Sequence, residues 1–322
     1  MPAVAMRTVR VYQYGGPKEL RLEQIPRPEP QAGEVLLRVI AAGVLPADVK
    51  RRQGFFRGIH ATTFPYIPGS AVAGVVEAVG PDVTAFAPGD AVFGRTNNGA
   101  YAEYTTAAVE TLALKPETLS FAEAATISGG ATTAWTSLFD NGQLQAGQRA
   151  LIHGGAGGVG LYAVQLARWK GAQVIATASG SNVEFVRSLG ADIVIDYTKT
   201  PFEEATGAVD LVLDTVGGEV TERSLRVIRR GGTLVSLLEE PPEEVARARG
   251  VRAIKNSVTF PYPPTALLNS IAGLIVEGHI RAVVGPCFPL QEVQQAHALC
   301  ETGHGRGRIV LMVAEAGMQR TG

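Results

Sequence analysis

Residues 149–160 read Arg-Ala-Leu-Ile-His-Gly-Gly-Ala-Gly-Gly-Val-Gly, and Gly155, Gly157 and Gly160 within them satisfy G-x-G-x-x-G. In that spacing Gly155 takes the tight turn and Gly157 lets the main chain approach a pyrophosphate. Gly160 lets a helix pack closely on the preceding strand. Ala156, Gly158 and Val159 complete the loop. A helix N-terminus behind it presents free N–H groups and the positive end of a dipole, both suited to anions. The motif alone is weak. Here a short apolar run, 150–152, precedes it and a helical pattern, 158–170, follows, which is the context the motif requires.

The choice of dinucleotide turns on the end of the next strand. NAD sites place an Asp or Glu about 20 residues past the glycines. Here that stretch reads Thr177-Ala178-Ser179-Gly180-Ser181-Asn182, without an acid. A carboxylate would repel a 2′-phosphate, so its absence favours NADP(H). Ser179, Asn182 and, past the third strand, Tyr197 are candidate donors to that phosphate. No Arg or Lys stands at the strand end. Ordinary turn and helix-cap chemistry also accounts for Ser179 and Asn182.

These residues need a scaffold. From about residue 149 strand and helix patterns alternate: strands at 150–153, 174–177, 193–196, 211–216 and 233–238, helices at 158–170, 183–188 and 219–229. Gly171, Gly190 and Gly231 stand where C-caps belong. Such alternation demands an α/β unit with a doubly wound parallel sheet. Residues 1–120 carry short strand runs (35–40, 72–79, 91–93) between Pro/Gly turns, which predicts an irregular, mostly antiparallel β domain. Ser120-Phe121-Ala122-Glu123 forms a capping box, and another helical pattern covers 133–139. A helix at 264–277, a short helix at 291–300 and a strand at 308–313 close the chain.

Composition narrows the function classes. The 322 residues suit two domains, and a formal net charge of −1 with 18% charged residues argues against a nucleic-acid partner. No apolar run is long enough for a bilayer. The N-terminus lacks a signal peptide's apolar stretch. With Cys287 and Cys300 alone, a disulfide framework and a four-cysteine zinc site are ruled out. These features predict a cytoplasmic protein with reduced thiols.

A set of motifs in order resembles the zinc-independent quinone oxidoreductase branch of the medium-chain dehydrogenase/reductases: Tyr14-Gly15-Gly16-Pro17, Pro68-Gly69, Ala73-Gly74-Val75-Val76, Gly99-Ala100-Tyr101-Ala102-Glu103-Tyr104, Thr133-Ala134-Trp135, the glycine loop, Leu189-Gly190-Ala191-Asp192, Asp214-Thr215-Val216-Gly217-Gly218 and Gly307-Arg308-Ile309-Val310-Leu311. Ser179…Asn182…Phe185 and Ile195-Asp196-Tyr197 resemble relatives described only as candidate enoyl reductases. The resemblance implies a GroES-like domain over 1–127, completed by 280–322, a Rossmann domain over 128–279, and an active cleft between them. Where zinc-dependent siblings carry ligands, this chain has Gly43-Val44-Leu45-Pro46-Ala47-Asp48 and Ser70-Ala71-Val72, so no metal site is expected.

The implied reaction is hydride transfer from NADP(H) to a quinone or an α,β-unsaturated carbonyl. Such acceptors take hydride at a conjugated carbon and need one donor for the developing oxyanion. Lys50 is the candidate donor; an exposed basic patch is its plain alternative. Asp48 either orients Lys50 or caps the helix that starts there. Thr133 resembles a residue that bonds the carboxamide or ribose, or else it bonds its own helix backbone. Leu45 replaces an Asn that faces the nicotinamide in many relatives. Phe55, Tyr66 and Tyr262 are candidate walls of the substrate pocket. Val216, Leu237 and Phe260 stand at later strand ends, where ligands bind in open sheets. Arg306 and Arg308 lie in the segment that folds back towards the cleft; Arg308 is taken as a cofactor contact, and Arg306 as a surface residue. An enoyl thioester reductase and a nucleotide-binding sensor with little turnover are the alternatives. The resemblance implies a homodimer through edge-to-edge pairing of the Rossmann sheets, with 253–260 as the candidate edge.

Overall fold

The structure is a computed structural model and describes residues 4–58, 61–256 and 263–314. Near the start β1 (Ala5–Arg10) pairs antiparallel with β2 (Arg21–Pro26). The long β3 (Glu34–Gly43) leads into α1 (Pro46–Arg52), then β4 (Ala71–Val79), β5 (Ala91–Arg95), β6 (Tyr104–Ala108) and β7 (Leu112–Leu114). Strands β3, β4, β5 and β7 are antiparallel neighbours, and β6 also pairs with β3. Both faces of β3 are largely buried.

Helix α2 (Phe121–Ile127) begins at the predicted box: the Glu123 N–H donates to Ser120 Oγ at 3.2 Å, and the Ser120 N–H donates to the Glu123 carboxylate at 2.8 Å. Helix α3 (Ala131–Trp135) continues as a π-helical stretch, Thr136–Asn141, over the predicted helical pattern.

The second sheet follows. β8 (Arg149–Ile152), α4 (Gly160–Trp169), β9 (Gln173–Ala178), α5 (Val183–Ser188), β10 (Ile193–Asp196), α6 (Phe202–Thr206), β11 (Val209–Asp214), α7 (Glu219–Ser224), β12 (Ile228–Ser236), α8 (Glu243–Arg249) and β13 (Arg252–Lys255) form one doubly wound unit. The strand order β10-β9-β8-β11-β12-β13 is parallel throughout. Gly171 (φ +85°) and Gly190 (φ +101°) take the left-handed positions that end α4 and α5.

Two expectations are corrected here. The helix expected over 219–229 stops at Ser224, because Ile228 already pairs with Val209 in the sheet. Gly231 (φ +80°) is therefore no helix cap; it lies inside β12, where the register jumps between Val209↔Ile228 and Leu211↔Thr233. Of the edge segment 253–260, Ala253 to Lys255 lie in the edge strand β13, and 257–260 fall outside the described residues.

After α9 (Thr265–Val276) the chain returns to the first sheet. β14 (Val284–Pro289) and, beyond α10 (Val293–Glu301), β15 (Arg308–Met312) pair in parallel, and β15 joins β3 antiparallel. This return brings residues 306–308 to the glycine loop.

Candidate active site

In the glycine loop the turn falls one residue earlier than the spacing predicts. Gly154, not Gly155, holds the left-handed turn (φ +68°). Its N–H donates to Thr177 Oγ at 3.2 Å, and the Gly155 N–H donates to the Thr177 carbonyl at 2.9 Å, which ties the loop to β9. A Cβ on Gly160 would overlap the Gly154 carbonyl, so strand and helix can approach only with glycine there. A Cβ on Gly157 would meet only the Gly154 oxygen, at 3.3 Å, leaving its outer side clear for a ligand. The helix starts at Gly160, two residues later than expected.

The last segment is woven into this loop. The Gly307 N–H donates to the Ala156 carbonyl at 3.0 Å, and Gly307 forms a parallel bridge with Gly157. The arginines on either side of Gly307 reach opposite ends of the site. Arg308 is buried, and its Nη2 donates to the Gly129 carbonyl at 3.2 Å while Nε has no partner. A Cβ on Gly158 would lie 2.6 Å from Arg308 Cζ, so the fourth loop glycine makes room for a guanidinium. Burial lowers the Arg308 pKa. No carboxylate lies at ion-pair distance from it among the described residues. The Asp48 carboxylate acts on it only at longer range, raising its pKa in part against burial.

Arg306 reaches the other end. Its Nε donates to Asn182 Oδ1 at 3.2 Å, its Nη2 to the Ser181 carbonyl at 3.4 Å, and its Cζ lies 4.4 Å from the Phe185 ring centroid. Asn182 Nδ2 donates to Ser179 Oγ at 3.0 Å. Arg306 is exposed, as the surface reading expects, and it places a cation at the end of β9 from a segment 124 residues downstream. The sequence signal for it was only the pair of arginines flanking a glycine. Tyr197 is exposed at the end of β10. Next to it, the Asp196 carboxylate accepts from Thr198 Oγ at 2.6 Å and is held below the usual carboxylate range by that bond; a Cβ on Gly180 would lie 2.8 Å from its Oδ2. Sequence reading named this acid only within the Ile195-Asp196-Tyr197 resemblance and gave it no role.

Facing the loop from the first sheet is α1. Leu45, at its N-cap, is buried, and its Cδ2 lies 2.5 Å from where a Cβ on Gly129 would stand. The Asp48 carboxylate accepts the Leu45 N–H at 3.0 Å and the Tyr101 hydroxyl at 3.4 Å, which is the capping alternative; it makes no bond to Lys50. Burial pushes Asp48 up to about 6. Behind it His297 Nε2 lies 3.2 Å from the Tyr101 hydroxyl, and Arg52 Nε donates to His297 Nδ1 at 3.4 Å. Arg52 also binds the Gly15 carbonyl and Glu301, locking α1 onto α10.

Lys50 Nζ sits 5.0 Å from the Phe55 ring centroid. Burial lowers its pKa, Lys255 at the end of β13 lowers it further, and Glu239 after β12 raises it. Lys50 therefore feels the charges at the C-terminal ends of the second sheet. The Thr133 hydroxyl donates to the Gly129 carbonyl at 3.2 Å, its backbone alternative. Phe55 is exposed beside Lys50; Tyr66 lies under Arg51, at 4.4 Å, and lines a separate hollow in the first half. The Val216 N–H donates to Asp214 Oδ1 at 2.8 Å, and the Leu237 N–H to the Asp214 carbonyl at 3.0 Å, so both stand at the β11 and β12 ends. Phe260 and Tyr262 lie outside the described residues.

Comparison with known proteins fits this geometry. Residues 31–117 match the family model "Alcohol dehydrogenase GroES-like domain", and residues 189–311 match "Zinc-binding dehydrogenase". A quinone oxidoreductase of Mus musculus is 34% identical over 96% of this chain and 98% of its own. The chain belongs to the quinone oxidoreductase branch of the medium-chain dehydrogenase/reductases, and it is an oxidoreductase. The NADPH-dependent alkenal/one oxidoreductase of Arabidopsis thaliana is 36% identical over 92% of this chain and 77% of its own. The solved quinone oxidoreductase of Coxiella burnetii superposes with a TM-score of 0.90 at 35% identity, covering 97% of this chain and all of that one. Within this branch the second match's description names a metal. Among the described residues no three His, Cys, Asp or Glu side chains gather in a way that would hold one.

Proposed function

We propose that this reductase transfers hydride from NADPH to quinones or α,β-unsaturated carbonyls without a metal ion. The Mus musculus and Arabidopsis relatives, named for these two acceptor classes, support that substrate range. Arg306 is the observation that carries the coenzyme assignment. Its guanidinium lies against Ser181 and Asn182 at the end of β9, where a 2′-phosphate would hang from the adenosine ribose. The bound nicotinamide supplies the hydride. Gly157 and the start of α4 leave room and dipole for the diphosphate, and Arg308 adds charge beneath it. Lys50 serves as the cation for the oxyanion that forms as the acceptor's conjugated system takes the electron pair. A conjugated acceptor delocalises that charge, so a single cation suffices where a simple ketone would need stronger polarisation.

The test is coenzyme affinity in wild type and Arg306→Ala, followed by protein fluorescence. NADPH binding is expected to weaken about 10- to 100-fold, the loss of one charge-assisted bond, with NADH changed less than threefold. Equal loss for both coenzymes, or none, overturns the assignment; so does tighter NADH binding in wild type, in which case Asp196 takes the ribose hydroxyls. Oxidation of NADPH at 340 nm with quinones, enones and enoyl thioesters identifies the acceptor. Acceleration by none of them would leave a nucleotide sensor.

The edge strand β13 is the surface we assign to homodimer pairing, and a dimer by light scattering at micromolar concentration is expected. The chain's two cysteines, both free thiols, suit the cytoplasm. No helix among the described residues is long and apolar enough to cross a membrane.

A further inference from the structure

Four buried polar side chains behind α1 form a hydrogen-bonded chain that the hydride transfer itself does not use. Arg52, Tyr101 and His297 are fully buried, and Asp48 nearly so. Arg52 Nε lies 3.4 Å from His297 Nδ1, His297 Nε2 lies 3.2 Å from the Tyr101 hydroxyl, and that hydroxyl lies 3.4 Å from Asp48 Oδ2. The same carboxylate oxygen accepts the Leu45 N–H at 3.0 Å. The segment before β6 and, through it, α10 are thereby tied to the first turn of α1.

The direction of each bond follows from the chemistry of its groups. A guanidinium only donates, so His297 Nδ1 accepts. Burial and the Arg52 charge lower the His297 pKa to about 3, so the ring is neutral and its one proton sits on Nε2. That proton goes to the Tyr101 oxygen, which leaves the phenol proton for Asp48. Every donor therefore points towards the carboxylate. The Gly15 carbonyl and Glu301 hold the Arg52 guanidinium and fix the start of the chain. At its end the carboxylate sets the position of α1. Leu45, whose N–H it accepts, abuts Gly129, and the Gly129 carbonyl accepts from both Arg308 and Thr133. Lys50 stands two residues beyond Asp48 on the same helix.

We infer that Tyr101 and His297 are positioning residues of the reduction: they fix the Asp48 carboxylate, and with it the start of the helix that places the Lys50 ammonium. The inference rests on the oxyanion role proposed for Lys50. Bonds to the charged carboxylate are stronger than bonds to the neutral acid, so the hold on α1 weakens as Asp48 takes up a proton. Burial pushes Asp48 up to about 6, against the Leu45 bond and the guanidinium groups of Arg51, of Arg95 on β5 and of Arg308 on β15, all of which favour the charge. Tyr66 and, on α10, Cys300 also face it; burial pushes them up to about 12 and about 11, so both are neutral.

The test is kcat against pH for the full chain with NADPH and 1,4-naphthoquinone. Wild-type kcat is expected to fall as pH drops through about 6. Tyr101→Phe keeps the ring and removes the hydroxyl. It is expected to lower kcat about tenfold with the KM for NADPH within about threefold, and to move the acid limb to higher pH, because the carboxylate has lost a donor. His297→Leu should do the same. His297→Gln, whose amide accepts from Arg52 and donates to Tyr101 in the same order, should stay within about threefold of wild type. In a Lys50→Met background Tyr101→Phe should lower kcat no further, because it acts through Lys50. Losses that add in full, an acid limb that does not move, or His297→Gln as slow as His297→Leu overturns the inference and leaves the role of Lys50 standing. Lys50→Met turning over as fast as wild type overturns that role instead, and this inference with it.

Discussion

Lys50 is the residue on which the proposed chemistry turns. Its ammonium is half-buried and packed on Phe55, and burial holds its pKa below the usual lysine range. A cation placed at a developing oxyanion acts mainly on the transition state. Lys50→Met is expected to lower kcat by about tenfold or more while the KM for NADPH stays within threefold; an unchanged kcat in stopped-flow turnover removes the role. The lowered pKa sets the direction of the pH profile. As pH rises, Lys50 loses its charge earlier than an ordinary lysine, so the alkaline fall in kcat comes early. Lys50→Arg, which cannot lose its charge, is expected to flatten that fall. Asp48 and Thr133, read as capable of either chemical or structural roles, each show the structural bond, to the Leu45 N–H and the Gly129 carbonyl.

At the scale of elements, the strand–loop–helix unit β8–α4 separates a glycine that the fold requires from one with room beside it. A Cβ on Gly160 would run into backbone, the Gly154 carbonyl, which cannot move without dismantling the turn. Gly160→Ala is therefore expected to give insoluble or strongly destabilised protein. A Cβ on Gly157 meets a single oxygen at 3.3 Å. Gly157→Ala should fold, with a melting temperature within a few degrees of wild type, yet bind NADPH about tenfold or more weakly because the methyl group occupies the diphosphate's approach. Equal folding defects in both variants, measured by circular dichroism, would refute this division of labour. Helix α1 depends on a distant element: fully buried Arg52 ties it to Gly15, His297 and Glu301 of α10.

For the molecule as a whole, buried titratable groups set the acid limit. Burial lowers His153 to about 4 and His297 to about 3. In the unfolded chain histidines protonate near 6.5. Between there and about 4 the unfolded state binds more protons, so folding weakens as pH falls. Asp48 works the other way: raised to about 6 when folded, it retains a proton that the unfolded chain has already lost, and so favours folding as pH drops through 6. Two histidines outweigh one carboxyl, leaving a net loss of about 2 kcal/mol between pH 7 and pH 5. Thermal melts should show a melting temperature several degrees lower at pH 5 than at pH 7; a level or rising value would contradict the balance.

Local pattern was enough for the parallel unit. Ala150–Ile152, Ile193–Asp196 and Val183–Ser188 declare themselves because a strand buried on both faces must be apolar and a helix must end where Gly171 or Gly190 permits a left-handed turn. The capping box at Ser120 was legible for the same reason, since its hydrogen bonds close within three residues, and so was the part of the glycine loop closed by the bond from the Gly157 N–H to the Gly154 carbonyl. Whatever depends on segments far apart in the chain was not. The seat of Gly154 in the turn is set by Thr177 on the next strand; the early end of α7 is set by pairing of Ile228 with Val209. Arg306 reads as one more surface arginine until β15 joins β3 and carries it to Asn182. Residue spacing specifies contacts that close within a turn or two, whereas the neighbour supplied by a returning strand is decided only when sheets assemble, and in this protein those neighbours bring Arg306 and Arg308 to the site we propose for the coenzyme.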